Sequence, residues 1–540
     1  MTVKMSEIGS MNNRYLTALL VMGTIMAGCT KQLEEIPGQT GNDETLVTLT
    51  TSITLGEDPG TKALTAEGVK TFAVGDVITV VYENTSGSLA KTETAALTNA
   101  DITDGGKKAN ITVSLDSPAQ NGALRYIYPA AMANSDGSVN YDALHTQDGT
   151  LTYLANHFDL AIYEGVLTSS SRLPESVTLT NPLCIGEFTI KDKDSDIITS
   201  TLTGFYVSDG TNSYAISRSA AAGPIYVAMR PIANEATISL AAQTGSSYYE
   251  RSVTGEALAA GKIYPVNVRM EQTQTVNLAK ICSAYEAQDG ETLTGKLALC
   301  KRISIADGAT VTLRDVDING DSSFSKGEFS GITCTGKAEL VIKGTNTVKG
   351  CKSNWPGIFP KSNKTLTISG DGSLRAIGNT YGAGIGTPGT NDRSLECGNI
   401  KITGGTVEAI GGGMAAGIGT GCINIKVNHS NLYVRCGRIT ISGGTVTAIG
   451  GNKAAGIGLG YSDSVSEKAE IACGAITIET GVTRVTATRG SDNSNIYCIG
   501  QGHRGKNVKL SVSRITIGGI EYHDGVNPES GDTYIYEPQH

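Results

Sequence analysis

Side chains able to do chemistry are sparse in this chain, and their spacing decides what that chemistry can be. Cleaving a glycosidic bond takes two carboxylates a few ångströms apart. In the repeats of the C-terminal half, the outward columns read Arg375, Glu408, Thr447, Thr486 and Lys401, Thr440, Thr477. They hold one acid beside an arginine, which reads as a surface ion pair and not a dyad. Asp392 and Asp463 stand in insertions, and no spacing makes them converge. The six histidines are scattered, so neither a triad nor a metal cluster is supported. Asp315-Val-Asp-Ile-Asn-Gly-Asp321 has the opening pattern of a calcium loop, but its twelfth position is Lys326, where a bidentate acid is needed. The same residues read as a strand with Val316 and Ile318 inward. No Cys-x-x-Cys pair exists, so zinc has no support. The expectation is no catalytic residue, no metal and no cofactor, hence not an enzyme. A polysaccharide-acting β-helix enzyme is the competing class.

Sugar binding more often uses aromatic platforms with a few polar groups. Trp355 is the only Trp. With Tyr381, Tyr433 and Tyr461, which lie in or beside variable segments, it makes the candidate ligand-binding set. The plainer account of Trp355 is that it packs a corner.

The elements that must position these residues are repeats. Gly398-Asn-Ile-Lys-Ile-Thr-Gly-Gly-Thr-Val-Glu-Ala-Ile-Gly411 returns as Gly437-Arg-Ile-Thr-Ile-Ser-Gly-Gly-Thr-Val-Thr-Ala-Ile-Gly450. Each copy continues to a Gly-Ile-Gly corner, at Gly417–Gly419 and Gly456–Gly458. Period-two alternation between glycine turns predicts short strands. Stacked coil on coil about 4.8 Å apart, they make a parallel β-helix over 280–519. Val407, Val446 and Val485 form one inner column; Ile385, Ile418, Ile457 and Ile499 form another. Neighbouring repeats complete one another's core. Variable insertions, Thr387–Glu396, Thr420–Arg435 and Leu459–Ala472, leave after the same corner and are expected to project from one edge. They read either as recognition loops or as tolerated surface insertions. The polar stretch 520–540 reads as a C-terminal cap or tail. Cys397, Cys436 and Cys473 each precede a repeat-opening glycine, which favours a buried ladder over disulfides.

The net charge of −9 and the absence of a basic field argue against nucleic-acid binding. The apolar run Tyr15–Ala27 is too short to span a bilayer comfortably. It follows Lys4 and Arg14 and ends at Met26-Ala-Gly-Cys29, which resembles a bacterial lipoprotein signal. The resemblance implies a signal peptide over 1–28, lipid on Cys29, a linker over 29–44 and attachment to an outer membrane, exposed at the cell surface. Met1, Met5 and Met11 are all compatible starts.

Short alternating strands from residue 45 to 272 suggest two sandwiches, over 45–172 and 173–272. Phe72-Ala-Val-Gly-Asp-Val-Ile-Thr-Val80, Tyr126-Ile-Tyr-Pro129, Asn181-Pro-Leu-Cys-Ile-Gly-Glu-Phe-Thr-Ile190 and Ala260-Gly-Lys-Ile-Tyr-Pro-Val-Asn-Val268 resemble the fimbrillin-like lipoproteins of the Bacteroidota. The resemblance implies two transthyretin-like β-sandwiches, so the whole chain is expected to be all-β, with the β-helix third. It also implies fimbrial subunits as partners, beside a membrane through the lipid and a glycan or host-surface ligand. Stalk subunits of that family are matured at an arginine; the matching turn here offers Lys62. The reading that follows is a non-enzymatic surface adhesin or glycan-binding lipoprotein, with a pilus tip or accessory subunit as the alternative.

Overall fold

The computed structural model describes residues 46–56, 71–169, 172–297, 301–319, 329–352, 354–425, 432–464, 469–492, 495–505 and 507–539. The leader, Cys29, the linker, Lys62 and Lys326 lie outside the described residues.

The chain folds as all-β: two sandwiches followed by a parallel β-helix. In the first sandwich, Leu46–Leu55 alternates so that Leu49, Thr51, Ile53 and Leu55 point inward. It runs antiparallel to Lys108–Asp116, with Leu49 opposite Val113 and Ile53 opposite Ala109. Outward, Thr48 and Thr50 meet Ser114 and Thr112 at 3.0 and 3.2 Å, a cross-strand hydroxyl ladder. The facing sheet is ordered Leu89–Glu93, Thr79–Glu83, Ala123–Tyr128, Ala161–Val166. The strand at Ser176–Leu179, expected to open the second sandwich, instead closes the first. It pairs parallel to Leu46–Leu55, with Val177 beside Ile53. Val177 and Leu179 sit in that core.

Conversely, Leu144, Leu154, Phe158 and Leu160 pack into the second core, and Thr146–Gln147 pairs with Ala215–Ile216. The boundary expected at 172/173 thus falls in a stretch where the two sandwiches interlock. Period-two patterning shows that a strand exists and is silent on which sheet takes it.

The second sandwich sets a six-stranded sheet against Ile225–Met229, Cys184–Lys191 and Ile263–Arg269. One strand of the larger sheet, Tyr248–Thr254, carries Tyr248 into the core of the β-helix beside Val276, Leu278 and Ile281. Polar bonds reinforce the junction. The Gln243 amide oxygen accepts from Cys282 N at 2.9 Å, and its nitrogen donates to Ser283 Oγ at 2.8 Å. Lys280 pairs with Glu250 and donates to Ser239 Oγ at 2.8 Å. The sandwich therefore covers the open end of the β-helix, which starts at Thr275 and not at 280. Thr275–Asn277 already pairs parallel with Thr292–Thr294.

Three parallel sheets wind the helix. Ile400, Ile439, Ile476 and Ile515 stack in the first. Leu374, Val407, Val446 and Val485 stack in the second, and Ile385, Ile418, Ile457 and Ile499 in the third. The second glycine of each Gly-Ile-Gly corner is in the left-handed region, with φ of 137° at Gly419. A Cβ there would lie 1.9 Å from the Gly458 carbonyl oxygen, so the close approach of coils requires glycine.

The insertions do not simply project. Their second halves, Leu395–Glu396, Tyr433–Cys436 and Ala469–Cys473, stack with Val508–Val512 of the following coil as a lateral parallel sheet. Leu395, Val434, Ile471 and Leu510 align along it. Val434 and Ile471 are fully buried; this sheet is core, not loop. The tips at 426–431 and 465–468 lie outside the described residues. At the far end, Ile520–Tyr522, Gly525–Val526 and Thr533–Tyr536 run antiparallel against the last strand of each main sheet. Reversing direction at an edge ends a parallel ladder and covers its unpaired amides.

Candidate functional site

The four candidate aromatics fall at separate places. Trp355 is half-buried, meets Phe359 edge-on at 6.5 Å, and lies 6.0 Å from the Arg393 guanidinium. Its carbonyl accepts from Asn379 N at 3.0 Å, fixing the corner to the next coil. Tyr381 stands on that next coil, also half-buried. Tyr433 lies on the lateral sheet beneath Arg435, 4.1 Å from ring to guanidinium. Tyr461 stacks on His503 at 5.6 Å and 22°, with Lys453 Nζ 5.0 Å from its ring. No ring contact joins any two of the four. Trp355 packs a corner and keeps part of its face open.

The acids behave as ion pairs. Arg375 Nε donates to Glu408 Oε2 at 2.7 Å across adjacent coils. On the lateral sheet Arg435 reaches Glu470 at 2.7 Å and Glu396 at 3.4 Å. Asp315 holds a turn between coils: its Oδ1 accepts from Thr345 N at 2.9 Å. Val316 and Ile318 are buried, as the strand reading of that segment expects. Among the described residues, no group of three or more His, Cys, Asp or Glu could hold a metal ion.

Cys397, Cys436 and Cys473 are free and buried, with Cys436 opposite Cys473 in register. The Cys436 thiol is pushed well up, first by hydrogen bonding to Cys397 and Cys473 and then by burial. Such thiols are poor nucleophiles. Cys351, one coil group earlier, is disulfide-bonded.

One arrangement has no counterpart in the sequence patterns. On the third sheet the outward residues of the first coils align as Glu286, Ser304, Thr333 and Phe359. A cavity of about 290 Å³ opens over this column. Its walls include Arg302, Thr335, Tyr285 and Gly245, the last from a turn of the second sandwich. The Gly245 carbonyl accepts from Glu286 N at 2.8 Å, which ties that turn to the coil. Thr335 Oγ1 lies 2.9 Å from the Ile305 carbonyl oxygen and 3.2 Å from Glu286 Oε1, and its single proton serves one or the other. The Arg302 guanidinium has no ion-pair or hydrogen-bond partner among the described residues. Behind the wall, Tyr285 donates its hydroxyl to buried Glu291 at 2.7 Å. Burial raises the pKa of Glu291 above the ordinary glutamate value, against the lowering effect of hydrogen bonds from Gln288 and Tyr285. The column continues into the aromatic corner, since Phe359, beside Thr333, is the ring that Trp355 meets.

With this geometry in place, the C-terminal half is of the parallel β-helix class. Residues 400–422 and 439–461 match a family model described as a β-helix repeat. The chain is also similar over part of its length to solved structures of fimbrial proteins. One is a fimbrial assembly protein from Parabacteroides distasonis: 13% identity, TM-score 0.24, covering 41% of this chain and 91% of that one. Another is a C-terminally truncated tip fimbrial protein from Porphyromonas gingivalis: 9% identity, TM-score 0.24, covering 42% of this chain and 95% of that one. No curated protein matches the chain.

Proposed function

We propose that this is a cell-surface lipoprotein, held by lipid on Cys29, that binds a glycan or other surface ligand without cleaving it. In this reading the sandwiches carry the β-helix and the β-helix presents the contact face. The observation that carries it is a contrast among outward side chains. Glu408, the acid of the closely repeated coils' outward columns, is paired with Arg375. Arg302, Ser304 and Thr333 line one cavity at the first coils, and Phe359, next to Thr333 in the same column, meets the ring of Trp355. Polar groups converging beside an aromatic suit binding; a carboxylate pair, which glycoside cleavage needs, is not what the repeats offer. Binding of the mature chain to a glycan array, with no shorter product released from the bound polysaccharide, is the expected result. Product formation would overturn it. Protease shaving of intact cells tests exposure: a protein that stays whole until cells are lysed is not displayed.

A second reading, a pilus tip or accessory subunit, is favoured by the antiparallel closure after Ile520. A ladder that ends in reversed strands suits a terminal position better than a repeating one. Immunogold label confined to fibre ends supports it, and label spread over the membrane and absent from fibres argues against it.

A further inference from the structure

We infer that the cavity between the Gly245 turn and the first coils of the β-helix is a seat for one neutral sugar unit. This rests on the glycan-binding reading above and gives it a place and a ligand class. The volume, about 290 Å³, is at the bottom of the roughly 300–1,000 Å³ range of small-molecule sites. That is room for a single ring with its hydroxyls and not for a chain.

The lining matches such a ring in kind. Glu286 accepts from hydroxyls and Arg302 donates to them; each can engage two neighbouring hydroxyls at once. The two are not in contact as an ion pair, so each is open to a ligand, and together they add no net charge. A neutral polyol satisfies both. A carboxylate ligand would meet Arg302 but would also face Glu286. Ser304 is almost fully buried, and its hydroxyl makes only a long 3.4 Å bond to the Tyr285 carbonyl. Thr333 shares its hydroxyl with Ser330 at 2.6 Å, which fixes its orientation. Beyond Thr333, Phe359 and Trp355 give a next unit an apolar face to lie on.

The sandwich takes part through Gly245. A Cβ there would meet nothing within 4 Å, and its backbone is not left-handed, so substitutions there alter the cavity mouth without straining the fold. The seat exists only because the sandwich is docked on the coil.

The test is titration of the mature chain with glucose, galactose, mannose and N-acetylglucosamine, followed by calorimetry and saturation-transfer NMR. Glucuronate and glycine serve as the acidic and zwitterionic probes. Saturable binding of at least one neutral sugar is expected. Arg302→Met should weaken it at least about tenfold, the scale of a lost charge-assisted hydrogen bond. Gly245→Trp should abolish it and Gly245→Ala should leave it intact, with unchanged melting temperatures showing that each variant is folded. Failure of every neutral sugar to bind, binding of only glucuronate or glycine, or affinity untouched by Arg302→Met and Gly245→Trp would each overturn the assignment. Glycan-array binding that survives both substitutions sinks the cavity and spares the broader reading. No array binding by the unaltered chain sinks the broader reading itself.

Discussion

The β-helix has two regions built on the same coil and put to different uses. From Leu366 to Gly500 the coils repeat closely, and their outward surface carries Thr columns and paired charges, Arg375 with Glu408 and Arg435 between two glutamates. From Thr275 to Pro360 the coils share little sequence with one another. There the outward column holds Glu286, Ser304, Thr333 and Phe359, with an unpaired Arg302 beside it. Regularity costs side-chain freedom. Where each coil must seat the next, glycine and isoleucine occupy the positions, and little is left to meet a ligand. Where the coil meets the sandwich, the register relaxes and chemistry gathers.

That contrast is sharpest if the regular region is the more brittle. Gly419→Ala should cost about 4 kcal/mol or prevent folding of the C-terminal coils, since it adds left-handed strain to a 1.9 Å clash with the Gly458 carbonyl. Gly245→Ala should stay within about 0.5 kcal/mol. Denaturant melts of both variants check this, and equal losses would erase the distinction between the two regions.

The second effect concerns the weld. Tyr248 is fully buried among residues of the first coils. Tyr248→Ala should cost about 3 kcal/mol through the cavity it leaves. It should also separate one unfolding transition into two, sandwiches and helix, in calorimetry. A single transition at an unshifted temperature would show that the two halves are not coupled there.

How much of this was readable in the chain follows the same division. The Ile and Val columns and the ion pair of Glu408 come from close repetition, which sets register by itself, and the terminal cap comes from the polar composition of 520–540. The lateral sheet was hidden because its strands follow insertions of unequal length, although Tyr433-Val-Arg-Cys436 and Ala469-Glu-Ile-Ala-Cys473 alternate plainly and the Cys column marks their ends. The weld was hidden because Gln243 and Tyr248 alternate as any strand does, and nothing local says that their far face meets another domain. The cavity was least readable. Glu286, Arg302 and Thr333 come from coils without a shared motif and form a column only once the pairing of Tyr285 with Ile303 and of Ile303 with Ile332 is known. Of the four aromatics singled out by type, one lies beside it.

A pH measurement probes the wall of that cavity. The Glu291 carboxyl has its folded pKa raised from 4.5 by burial. Its contribution is therefore whole below that value and is lost as pH rises through the raised one. Relative to Glu291→Gln, the unaltered protein should lose melting temperature progressively as pH increases above 4.5. A difference that is flat over that range would mean that Glu291 is solvated and that the first coil is looser than its buried Tyr285–Glu291 bond implies.

The smallest effect tests whether the repeated surface is as inert as its pairing suggests. Arg375 and Glu408 are both substantially exposed, at 53% and 39%, so solvent and salt screen them, and an exposed pair contributes at most about 1 kcal/mol. Glu408→Gln should change stability by no more than about 0.5 kcal/mol and leave glycan binding as it was. A carboxylate that served catalysis or recognition would behave otherwise: its amide variant would keep the fold and lose the ligand. If Glu408→Gln abolishes binding while Arg302→Met does not, the two regions exchange roles, and the repeated columns carry the function.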